Sequence, residues 1–467
     1  MLLRAKPNRI LVKRVLTRIL PSYSRTLACI GRTEWMDEGS LSHLQFQKLK
    51  RTLIHAYKNV PYYRTRFQKE GLNPDSFSKL SDIQDYPFLD KQMLRDNMDS
   101  LVRNRIKRKL WPRVYTGGTT GTPLRLYRSA SDYGRERAFL EYSQRMMGID
   151  PFAKLVYMRG PVYDSKGKYY HRSVFCRTLY LSSNAMDDTH LELYVNLIRE
   201  YQPVVLYALP SVAVVLADYM ERERVAPIES IRHVWLLSEN IYSFQARQIE
   251  RVFRCPIGTQ YGHSEHAVFA ARCPESSLWH VLPQYGYAEL VDQEGKPVCT
   301  EGERGEIVGT AFTNSICPLI RYRTGDYAVY TNEKCPCGRN YPMWKNIQGR
   351  QQSVAITKSG GRVSVGPELL CTLHDRSYGE VKQFQIRQTR KGELEVSVES
   401  HRPEGFDKAR RYFMHVFEEQ FPNMFDVRVV ARESAGELKS SEKHLYFVQC
   451  MRDCCPESMN RERPIDG

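Results

Sequence analysis

Residues 115–123, with the sequence Tyr-Thr-Gly-Gly-Thr-Thr-Gly-Thr-Pro, are the stretch whose residue types point most directly to chemistry. Backbone amides beside glycine can approach an anion closely, and threonine hydroxyls add short hydrogen-bond donors. The stretch lacks the Gly-Lys-Ser/Thr ending of a Walker A loop. It therefore predicts phosphate binding by a loop of another type, with a plain turn between strands as the alternative. The candidate phosphate-binding residues are Thr116, Gly117, Gly118, Thr119, Thr120, Gly121 and Thr122.

Two shorter motifs downstream can contact the rest of a nucleotide. The stretch Tyr261–Glu265 follows the apolar end of a predicted strand, and a serine and a carboxylate there can hold a phosphate that carries a metal ion. In the stretch Arg321–Asp326, a carboxylate follows a turn glycine and can accept hydrogen bonds from both hydroxyls of a ribose. Each motif taken alone is also compatible with an ordinary turn.

The Cys-Pro-Cys-Gly-Arg stretch at 335–339 is typical of a metal site, because two thiolates in one tight turn can share an ion. Cys273 and His280 can complete a tetrahedral set with Cys335 and Cys337. Four protein ligands leave no open position, so the pattern predicts a structural zinc rather than a catalytic one. Reduced structural cysteines are the alternative.

The 467-residue chain carries 69 basic and 53 acidic residues, which gives a formal net charge of +16. Residues 1–35 hold eight of the basic residues and a single acidic one, Glu34. Apolar residues alternate with these bases at helical spacing as far as Pro21, where the run is expected to end. The pattern favours either an amphipathic helix that contacts a membrane surface through residues 1–20 or a surface helix with a basic outer face.

Other classes of protein are disfavoured by the same sequence. There is no uncharged apolar run near 18 residues, as a membrane-spanning helix requires. Zinc-finger, RNA-recognition and helix-turn-helix signatures are missing, which disfavours nucleic acid as a partner despite the basic charge. The twelve cysteines are spread along the chain, a distribution that favours the reducing cytoplasm.

Alternating apolar strands and helices predict an α/β fold with a mostly parallel sheet in the middle of the chain. The predicted elements are a helix at 41–58 with Ser42 as its cap, strands at 203–207 and 233–237, and helices at 211–219, capped by Ser211, and 243–253. After residue 350, strands at 382–387, 394–399 and 426–430 surround a helix at 406–420, which predicts a small α+β domain. The predicted divisions are a basic arm (1–35), a large domain (36–349), a small domain (350–450) and a tail (451–467).

The ordered set of motifs resembles the superfamily of adenylate-forming enzymes. The closer resemblance is to the phenylacetate-CoA ligases and the capsular polysaccharide biosynthesis (CapK) family, over about residues 36–449. It includes the stretches Val60–Arg64, Tyr86–Lys91 and Tyr285–Leu290. The resemblance implies a large N-terminal domain with mixed and parallel sheets and helices, which binds ATP and the acyl group, and a small mobile α+β C-terminal domain.

The resemblance also implies roles for individual residues. The loop 116–122 corresponds to the family's loop around the ATP phosphates, and Ser238-Glu239-Asn240 corresponds to the adenine-side turn, with serine in place of the usual glycine. Within Tyr261-Gly262-His263-Ser264-Glu265, the tyrosine lies near adenine, the serine contacts phosphate and Glu265 holds Mg²⁺. Asp326 binds the ribose hydroxyls, and Arg350 reaches ribose or phosphate. The hinge position, acidic in the family, is Gln352 here.

The implied reaction has two steps. A carboxylate attacks ATP to give an acyl-AMP and pyrophosphate, with Lys443, Glu265 and Thr119 as catalytic residues, and the acyl group then passes to an acceptor. Lys443 stabilises the charge that develops at the α-phosphate. Coenzyme A is the expected acceptor, because the stretch Lys358–Val363 resembles the turn that lines the family's thiol tunnel. ATP, Mg²⁺, coenzyme A and a structural Zn²⁺ are the expected cofactors.

Alternative functions remain open at this point. The acceptor can be an amine or a sugar hydroxyl in surface polysaccharide biosynthesis, or the reaction can stop at adenylylation of a cofactor. A relative without turnover that binds a membrane or nucleic acid is the alternative from another class. The acyl pocket is expected near Tyr207, Ala208, Leu209 and Ser211. The expected location is the cytoplasm, with membrane association through the N-terminal arm; neither the carboxylate nor the oligomeric state follows from the sequence.

Overall fold

The computed structural model describes residues 16–103, 113–116, 124–160, 162, 169–175, 177–183, 185–239, 241, 243–348, 354–364, 381–400, 402, 404–431 and 447–449. Their strands form a large mixed sheet, a smaller four-stranded sheet and two separate hairpins. Helices accompany both of the larger sheets. This arrangement confirms the predicted α/β fold class.

Three helices open the described part of the chain: α1 (Pro21–Thr33), α2 (Glu38–Asn59) and α3 (Pro61–Lys69). Pro21, expected at the end of a run, is the first residue of α1, where a helix needs no amide donor. The cap of α2 is Asp37, whose Oδ1 accepts a 2.9 Å hydrogen bond from the Ser40 amide, so the prediction of Ser42 as the cap was wrong. Shorter helical segments follow at Pro74–Ser76, Leu80–Asp85, Lys91–Asp96 (α4) and Met98–Leu101 (α5).

Helix α1 packs against a longer helix, α6 (Ala130–Met146). A β-carbon on Gly134 of α6 would lie 2.3 Å from the Ser22 hydroxyl, so the two backbones approach as closely as only glycine allows. The Arg18 guanidinium and the Tyr23 hydroxyl both bind the buried carboxylate of Glu141, at 2.7 and 2.6 Å. From residue 16 onward, the basic arm is therefore part of the folded body.

The large sheet has a parallel half that is built from βα units. Strands β8, β7, β6, β3 and β5 lie parallel in this order, and β4 adds an antiparallel edge. The strands are β3 (Leu155–Met158), β4 (Tyr170–Ser173), β5 (Thr178–Leu181), β6 (Val205–Ala208), β7 (His233–Leu236) and β8 (Ile257–Gly262). The connecting helices are α7 (Asp188–Tyr201), α8 (Pro210–Arg222) and α9 (Ser243–Phe253).

The predicted alternation of strands and helices is confirmed in this half, and helix α9 has the predicted bounds. Helix α8 begins at Pro210, with Leu209 at the cap position and no side-chain cap, so the prediction of Ser211 as its cap was wrong. Proline has a backbone angle already suited to the first helical position and needs no amide partner there.

The other half of the large sheet is antiparallel and continues from β8. Its order is β8, β9, β10, β14, β13, β12, β11, so β14 inserts between two strands that precede it in the chain. The strands are β9 (Phe269–Cys273), β10 (Ser276–Val281), β11 (Gly286–Val291), β12 (Arg304–Ala311), β13 (Tyr322–Tyr330) and β14 (Met343–Gln348). A separate hairpin, β1 (Arg113–Thr116) and β2 (Leu124–Tyr127), flanks the Gly/Thr-rich stretch.

The C-terminal sheet has the order β19, β18, β17, β20, and helix α10 (Gly405–Gln420) connects β18 to the parallel strand β19. Its strands are β17 (Val381–Arg390), β18 (Glu393–Ser400), β19 (Asp426–Ala431) and β20 (Phe447–Gln449). The predicted β-β-α-β order is confirmed. The hairpin β15 (Val354–Ile356) and β16 (Arg362–Ser364) shares an apolar core with this sheet through Ala355 and Val363. Among the described residues, no helix has the length and apolar character needed to cross a membrane.

Candidate functional site

Strand β8 is the point where the parallel half of the large sheet changes to the antiparallel half. Ligands of α/β proteins bind beyond the carboxyl ends of parallel strands, at the place where the strand order switches. The motif Tyr261–Glu265 begins in the last residues of β8 and continues past its carboxyl end. The fold therefore places this motif where a ligand site is expected.

Tyr261 and Asp326 lie far apart in the sequence but meet in the fold. The Tyr261 hydroxyl donates a buried hydrogen bond of 2.9 Å to Asp326 Oδ2. The Asp326 amide donates to the hydroxyl of Thr324 at 3.0 Å, and that hydroxyl donates to the carbonyl of Ile307 at 2.8 Å. The structure thus brings together two predicted site residues and fixes the backbone of the aspartate in β13.

The backbone before Asp326 is held by a second carboxylate. Glu306 on β12 accepts hydrogen bonds from the Arg323 guanidinium at 2.5 and 2.8 Å and from the Gly325 amide at 3.0 Å. Gly325 has a φ of 75°, a left-handed conformation that favours glycine. Because Tyr322–Tyr330 form one strand whose pairing with β12 is irregular here, the prediction of a turn at Gly325 was wrong: the glycine lies at an irregularity within β13.

Glu265 is buried at the far end of the same motif, with 5% of its surface exposed. Its Oε1 accepts a 3.0 Å hydrogen bond from the Tyr322 hydroxyl, and its Oε2 lies 3.3 Å from His263 Nδ1. The His263 ring also lies between the rings of Tyr261 and Tyr322, with centroids 6.0 and 6.2 Å away. Glu265 is thus oriented by two neighbours, and a buried, oriented carboxylate is the kind of ligand that Mg²⁺ uses.

A charged network next to this motif was missed by the sequence analysis. Arg128, which follows β2 and is 4% exposed, donates to the Ser264 carbonyl and lies 2.9 Å from His266 Nε2. Because the guanidinium can only donate, Nε2 must accept, and the ring proton lies on Nδ1, 3.2 Å from Glu136. The Tyr285 hydroxyl donates to the same carboxylate at 2.7 Å. No local pattern marks these residues, since their partners lie on distant elements.

Arg321 anchors the start of β13. It forms a two-pronged ion pair with Glu289 at 3.0 and 3.2 Å and donates to the carbonyls of Gln84 and Tyr86, both at 2.9 Å. Burial raises the pKa of Glu289, and the attraction of Arg321 opposes that rise. Because both charges are buried and fully engaged, this pair positions β13 and is not available to a ligand.

A cavity of about 340 Å³ opens beside the network, at the carboxyl ends of β3, β5 and β6. Tyr207, one of the residues expected to form an acyl pocket, lines it together with Tyr133, Tyr157 and Tyr180. The predicted residues Ala208 and Leu209 lie in the adjoining core, and the Ser211 side chain is outside the described residues. Charged residues complete the lining, namely Arg128, Glu136, Arg137, Arg159 and His266.

Comparisons with known proteins agree with this geometry. Residues 176–310, which include β5 to β11 and the Tyr261 motif, match the model of the AMP-binding enzyme family. This part of the chain is therefore similar to the AMP-binding enzyme family. The chain is 28% identical to a phenylacetate-coenzyme A ligase of Aromatoleum evansii, over 72% of this chain and 77% of that one. It is 25% identical to the protein CapK of Staphylococcus aureus, over 63% of this chain and 64% of that one.

Among solved structures, the fold of this chain is similar to that of a 2-hydroxyisobutyryl-CoA ligase in complex with 2-HIB-AMP and CoA. The TM-score is 0.60 at 20% identity, and the match covers 90% of this chain and 92% of the other. The fold class and the family resemblance seen in the sequence are thereby confirmed.

Other predicted site residues are only partly described. Thr116 is the last residue of β1, and Ser238 follows β7 with a left-handed φ of 63°. Glu239 comes next in the chain and is half-buried. The residues Gly117, Gly118, Thr119, Thr120, Gly121, Thr122, Asn240, Arg350, Gln352 and Lys443 lie outside the described residues.

The four predicted metal ligands converge on one point of the fold. The ligand atoms of Cys273, His280, Cys335 and Cys337 all lie within 4.8 Å of one another. The two closest pairs are Cys273 Sγ to Cys335 Sγ at 3.4 Å and His280 Nε2 to Cys337 Sγ at 3.3 Å. Tetrahedral zinc with Zn–S bonds of about 2.3 Å requires ligand separations of roughly 3.5–3.8 Å. The four side chains therefore fit a zinc ion.

The protonation of His280 and Cys337 also suits a metal. Burial, reinforced by the positive charge of Arg339, lowers the pKa of His280 to about 4, so its ring is neutral at physiological pH. Burial raises the pKa of Cys337, but hydrogen bonds from Arg339 outweigh that effect and leave the pKa below its usual value. Burial also raises the pKa of Cys273 and that of Cys335, the latter to about 12, so these two thiols would have to lose their protons as a zinc ion binds.

Proposed function

We propose that this protein is an ATP-dependent ligase that adenylates a carboxylic acid, releases pyrophosphate and transfers the acyl group to coenzyme A. The observation that carries the proposal is the pairing of Tyr261 with Asp326 next to the buried Glu265, at the switch point of the sheet and beside a cavity. The name of the phenylacetate-coenzyme A ligase to which the chain is similar supports the same reaction.

In the proposed first step, Asp326 accepts hydrogen bonds from the ribose hydroxyls, and Tyr261 holds the aspartate in place while its ring borders the adenine. The loop 116–122 and Ser264 bind the phosphates, with Ser238, Glu239 and Asn240 on the adenine side and Arg350 near the ribose. Gly262 and His263 lie in the chain between Tyr261, which borders the adenine, and Ser264, which contacts the phosphates. Glu265 would hold Mg²⁺, whose charge offsets that of the phosphates.

Lys443 and Thr119 act on the reacting atoms in this proposal. Attack of the carboxylate on the α-phosphate concentrates negative charge, which an ammonium group and hydroxyl or amide donors stabilise more strongly in the transition state than in the ground state. The bond that forms joins the acyl oxygen to the α-phosphorus, and the bond that breaks releases pyrophosphate.

The acyl group is proposed to occupy the 340 Å³ cavity. Four tyrosines and several charged residues line it, so it suits an acid that carries hydroxyl, amino or further acidic groups better than an unsubstituted aromatic or aliphatic acid. The volume accommodates a small acid rather than a long acyl chain.

In the proposed second step, the turn between β15 and β16 guides the thiol of coenzyme A. Gly360 in this turn has a φ of 96°, and the Lys358 amide donates to the carbonyl of Met424 at 3.0 Å. The turn is therefore anchored to the C-terminal sheet. Its movement with that sheet would bring it to the acyl-AMP after adenylation.

An exchange assay tests the first step. The purified full-length protein is incubated with ATP, Mg²⁺, labelled pyrophosphate and a panel of carboxylic acids. Exchange of label into ATP is expected with at least one acid, and Lys443→Ala and Thr119→Ala should each lower the rate by about a hundredfold or more. The exposed Lys69 on α3 gives a matched control, Lys69→Ala, with an unchanged rate. Absence of exchange with every acid would contradict the proposal.

The acceptor is tested by adding coenzyme A to the same reaction. Mass spectrometry should then detect an acyl-CoA and free AMP. The similarity to CapK supports a second candidate, in which an amine or a hydroxyl of a sugar accepts the acyl group. That candidate is favoured if acyl-AMP accumulates and coenzyme A is not acylated, while amino sugars release AMP.

We further propose that Cys273, His280, Cys335 and Cys337 bind one structural zinc ion. The support is the convergence of four ligand atoms on one point, together with the neutral ring of His280 and the lowered pKa of Cys337. Four protein ligands fill the coordination sphere, so the zinc would stabilise the fold and take no part in adenylation.

A further inference from the structure

The geometry points to a second ligand site, a cavity between α1, α2 and α6 that binds a phosphate ester carrying free hydroxyl groups. Its volume is about 650 Å³, which is in the range of small-molecule sites. It lies apart from the nucleotide motifs, and none of the residues proposed to bind ATP lines it. The inference does not depend on the proposed ligase activity.

The charge of the cavity lining is entirely positive. Arg25 of α1, Lys48 and Arg51 of α2, and Arg135 of α6 line it, and the described residues of the lining include no aspartate or glutamate. Arg135 has a carboxylate neighbour, Asp132, at 3.0 Å. No carboxylate among the described residues pairs with Arg25, Lys48 or Arg51. Arg25 and Arg51 are exposed at the mouth of the cavity and Lys48 is partly buried, so a bound anion would be attracted by three cations that have no carboxylate partner among the described residues.

Lys48 is the deepest of these cations. Its Nζ donates to the carbonyl of Gln284 at 3.1 Å and lies 5.8 Å from the centre of the Phe312 ring. Burial lowers the pKa of Lys48, and the nearby arginines add to that effect. A phosphate bound here would restore the lost solvation of the ammonium group through charge-assisted hydrogen bonds.

Two side chains of the lining each carry a buried polar atom that has no hydrogen-bond partner among the residues that the structure describes. These atoms are Thr313 Oγ1 and Gln284 Oε1, on side chains that are only 5% and 3% exposed. The orientation of Gln284 is fixed, because its Nε2 donates to Thr33 Oγ1 and to the Tyr341 hydroxyl, both at 2.9 Å. Its Oε1 accordingly requires a donor.

These two atoms define the ligand more closely than charge alone. A phosphate group offers acceptors to the four cations and to the Thr313 hydroxyl, but in its dianionic form it has no proton for Gln284 Oε1. A hydroxyl group on the same ligand supplies that donor. The site is therefore better matched by a hydroxylated phosphate ester than by inorganic phosphate.

Helix α6 connects this site to the proposed acyl cavity. Ser131, Arg135 and Phe139 line the cationic cavity, while Glu136, Arg137 and Leu140 line the acyl cavity. A ligand that binds between α1 and α6 thus contacts the same helix that borders the acyl group. Binding is expected to change the affinity for the acid as well.

Isothermal titration calorimetry of the full-length protein tests the site with glycerol 3-phosphate, inorganic phosphate and glycerol as probes, in the presence of saturating ATP to occupy the nucleotide site. Glycerol 3-phosphate should bind more tightly than inorganic phosphate, and glycerol should not bind. The double variant Lys48→Gln/Arg51→Gln should weaken binding about a hundredfold, since each charged contact accounts for about tenfold.

Two further variants separate binding from folding. Lys58→Gln changes an exposed lysine on the same helix α2 and should bind like the unchanged protein. Thr313→Val should weaken glycerol 3-phosphate binding about tenfold, since it removes one hydroxyl donor and preserves side-chain size. The midpoint temperature of thermal unfolding, measured without ligand, should be the same for all variants and the unchanged protein. Equal binding by the double variant and the unchanged protein, or no binding of any phosphate ester, would overturn the inference.

Discussion

At the scale of single residues, the contact between Tyr261 and Asp326 joins two motifs that are 65 residues apart. Asp326 carries the proposed ribose contact, and Tyr261 holds one of its oxygens in place. The tyrosine does not bond the other carboxylate oxygen of Asp326. In the proposed site, Asp326 therefore binds the ribose and Tyr261 orients Asp326. The two side chains should therefore differ in their importance for ATP.

The first prediction compares Asp326→Asn with Tyr261→Phe. Asp326→Asn should raise the KM for ATP by about a hundredfold, because the hydrogen bonds of two hydroxyls to a charged group are weakened. Tyr261→Phe removes only the hydroxyl that orients Asp326 and should raise the KM for ATP about tenfold. The measurement is pyrophosphate exchange as a function of ATP concentration.

A matched control is Tyr330→Phe on the same strand β13, whose hydroxyl contacts only the exposed Asn332, at 2.9 Å. This variant should leave the KM for ATP unchanged. If Tyr261→Phe behaved like Tyr330→Phe, the proposed orientation of the ribose ligand by Tyr261 would be wrong.

At the scale of elements, one carboxylate fixes helix α1 to helix α6. Glu141 is fully buried and binds Arg18, Tyr23 and Arg137. Burial raises the pKa of Glu141, but Arg137, Tyr23 and Arg18 outweigh that effect, so the pKa lies below its ordinary value. A depressed pKa means that this carboxylate stabilises the fold above the pKa of the unfolded chain and ceases to do so as the pH falls through the folded-state pKa.

Replacement of this carboxylate is predicted to have a pH-dependent effect. Glu141→Gln should lower the free energy of unfolding by about 3 kcal/mol at pH 7, because it leaves two arginines without their buried counter-charge. The difference should begin to shrink as the pH falls below the pKa of an unfolded glutamate, about 4.3, and should disappear once the pH has passed the lower folded-state pKa. Urea unfolding at pH 7 and at a pH well below 4 measures both values.

The matched control for this experiment is Glu200→Gln. Glu200 on α7 is largely exposed and lies 3.5 Å from an exposed arginine, Arg172. Exposed pairs contribute little, so this variant should unfold like the unchanged protein at both pH values. A pH-independent effect of Glu141→Gln would contradict the assigned charge.

Much of the element order could be predicted from the sequence, because local periodicity determines it. The helix at 243–253 and the C-terminal β-β-α-β order are examples. The insertion of β14 between β10 and β13 could not be predicted, since it depends on long-range pairing that leaves no local pattern. The cap of α2 was assigned wrongly because Asp37, Ser40 and Ser42 are equally suitable by type, and that of α8 because the helix begins at Pro210 without any side-chain cap.

At the scale of the whole molecule, the proposed zinc site joins the antiparallel half of the sheet to the N-terminal helices. Cys273 and His280 lie on β9 and β10, and Cys335 and Cys337 lie in the loop before β14. The Arg339 guanidinium, which follows this loop, binds Glu34 at 2.6 and 2.9 Å. Loss of the metal should thus loosen two separate parts of the fold.

Metal removal gives the corresponding prediction. The purified protein should contain one zinc per chain, and Cys337→Ser should lose it and lower the thermal midpoint by roughly 5 °C or more. Cys299→Ser, at an exposed cysteine outside the cluster, is the control and should retain zinc. Zinc-free protein after gentle purification, or a disulfide between Cys273 and Cys335 detected by mass spectrometry, would contradict the proposal.

The candidate site was predictable to different degrees for physical reasons. Tyr261, Glu265, Asp326 and the Cys/His set were visible because motif spacing carries their chemistry. Arg128 and Glu136 were not, since a buried arginine and its partner resemble surface charges in a linear sequence. The same limit applies to the cationic cavity, whose four basic residues come from three helices.

The side chain of Gln388 determines where a C-terminal fragment of the chain can begin. Gln388 on β17 is completely buried, and it binds both the amide and the carbonyl of Ile356, at 2.7 and 2.8 Å, as a neighbouring strand would. The hairpin β15–β16 is thereby joined to the C-terminal sheet. A recombinant C-terminal fragment must accordingly begin before Val354, because a later start would leave this amide and the adjoining apolar surface exposed to water.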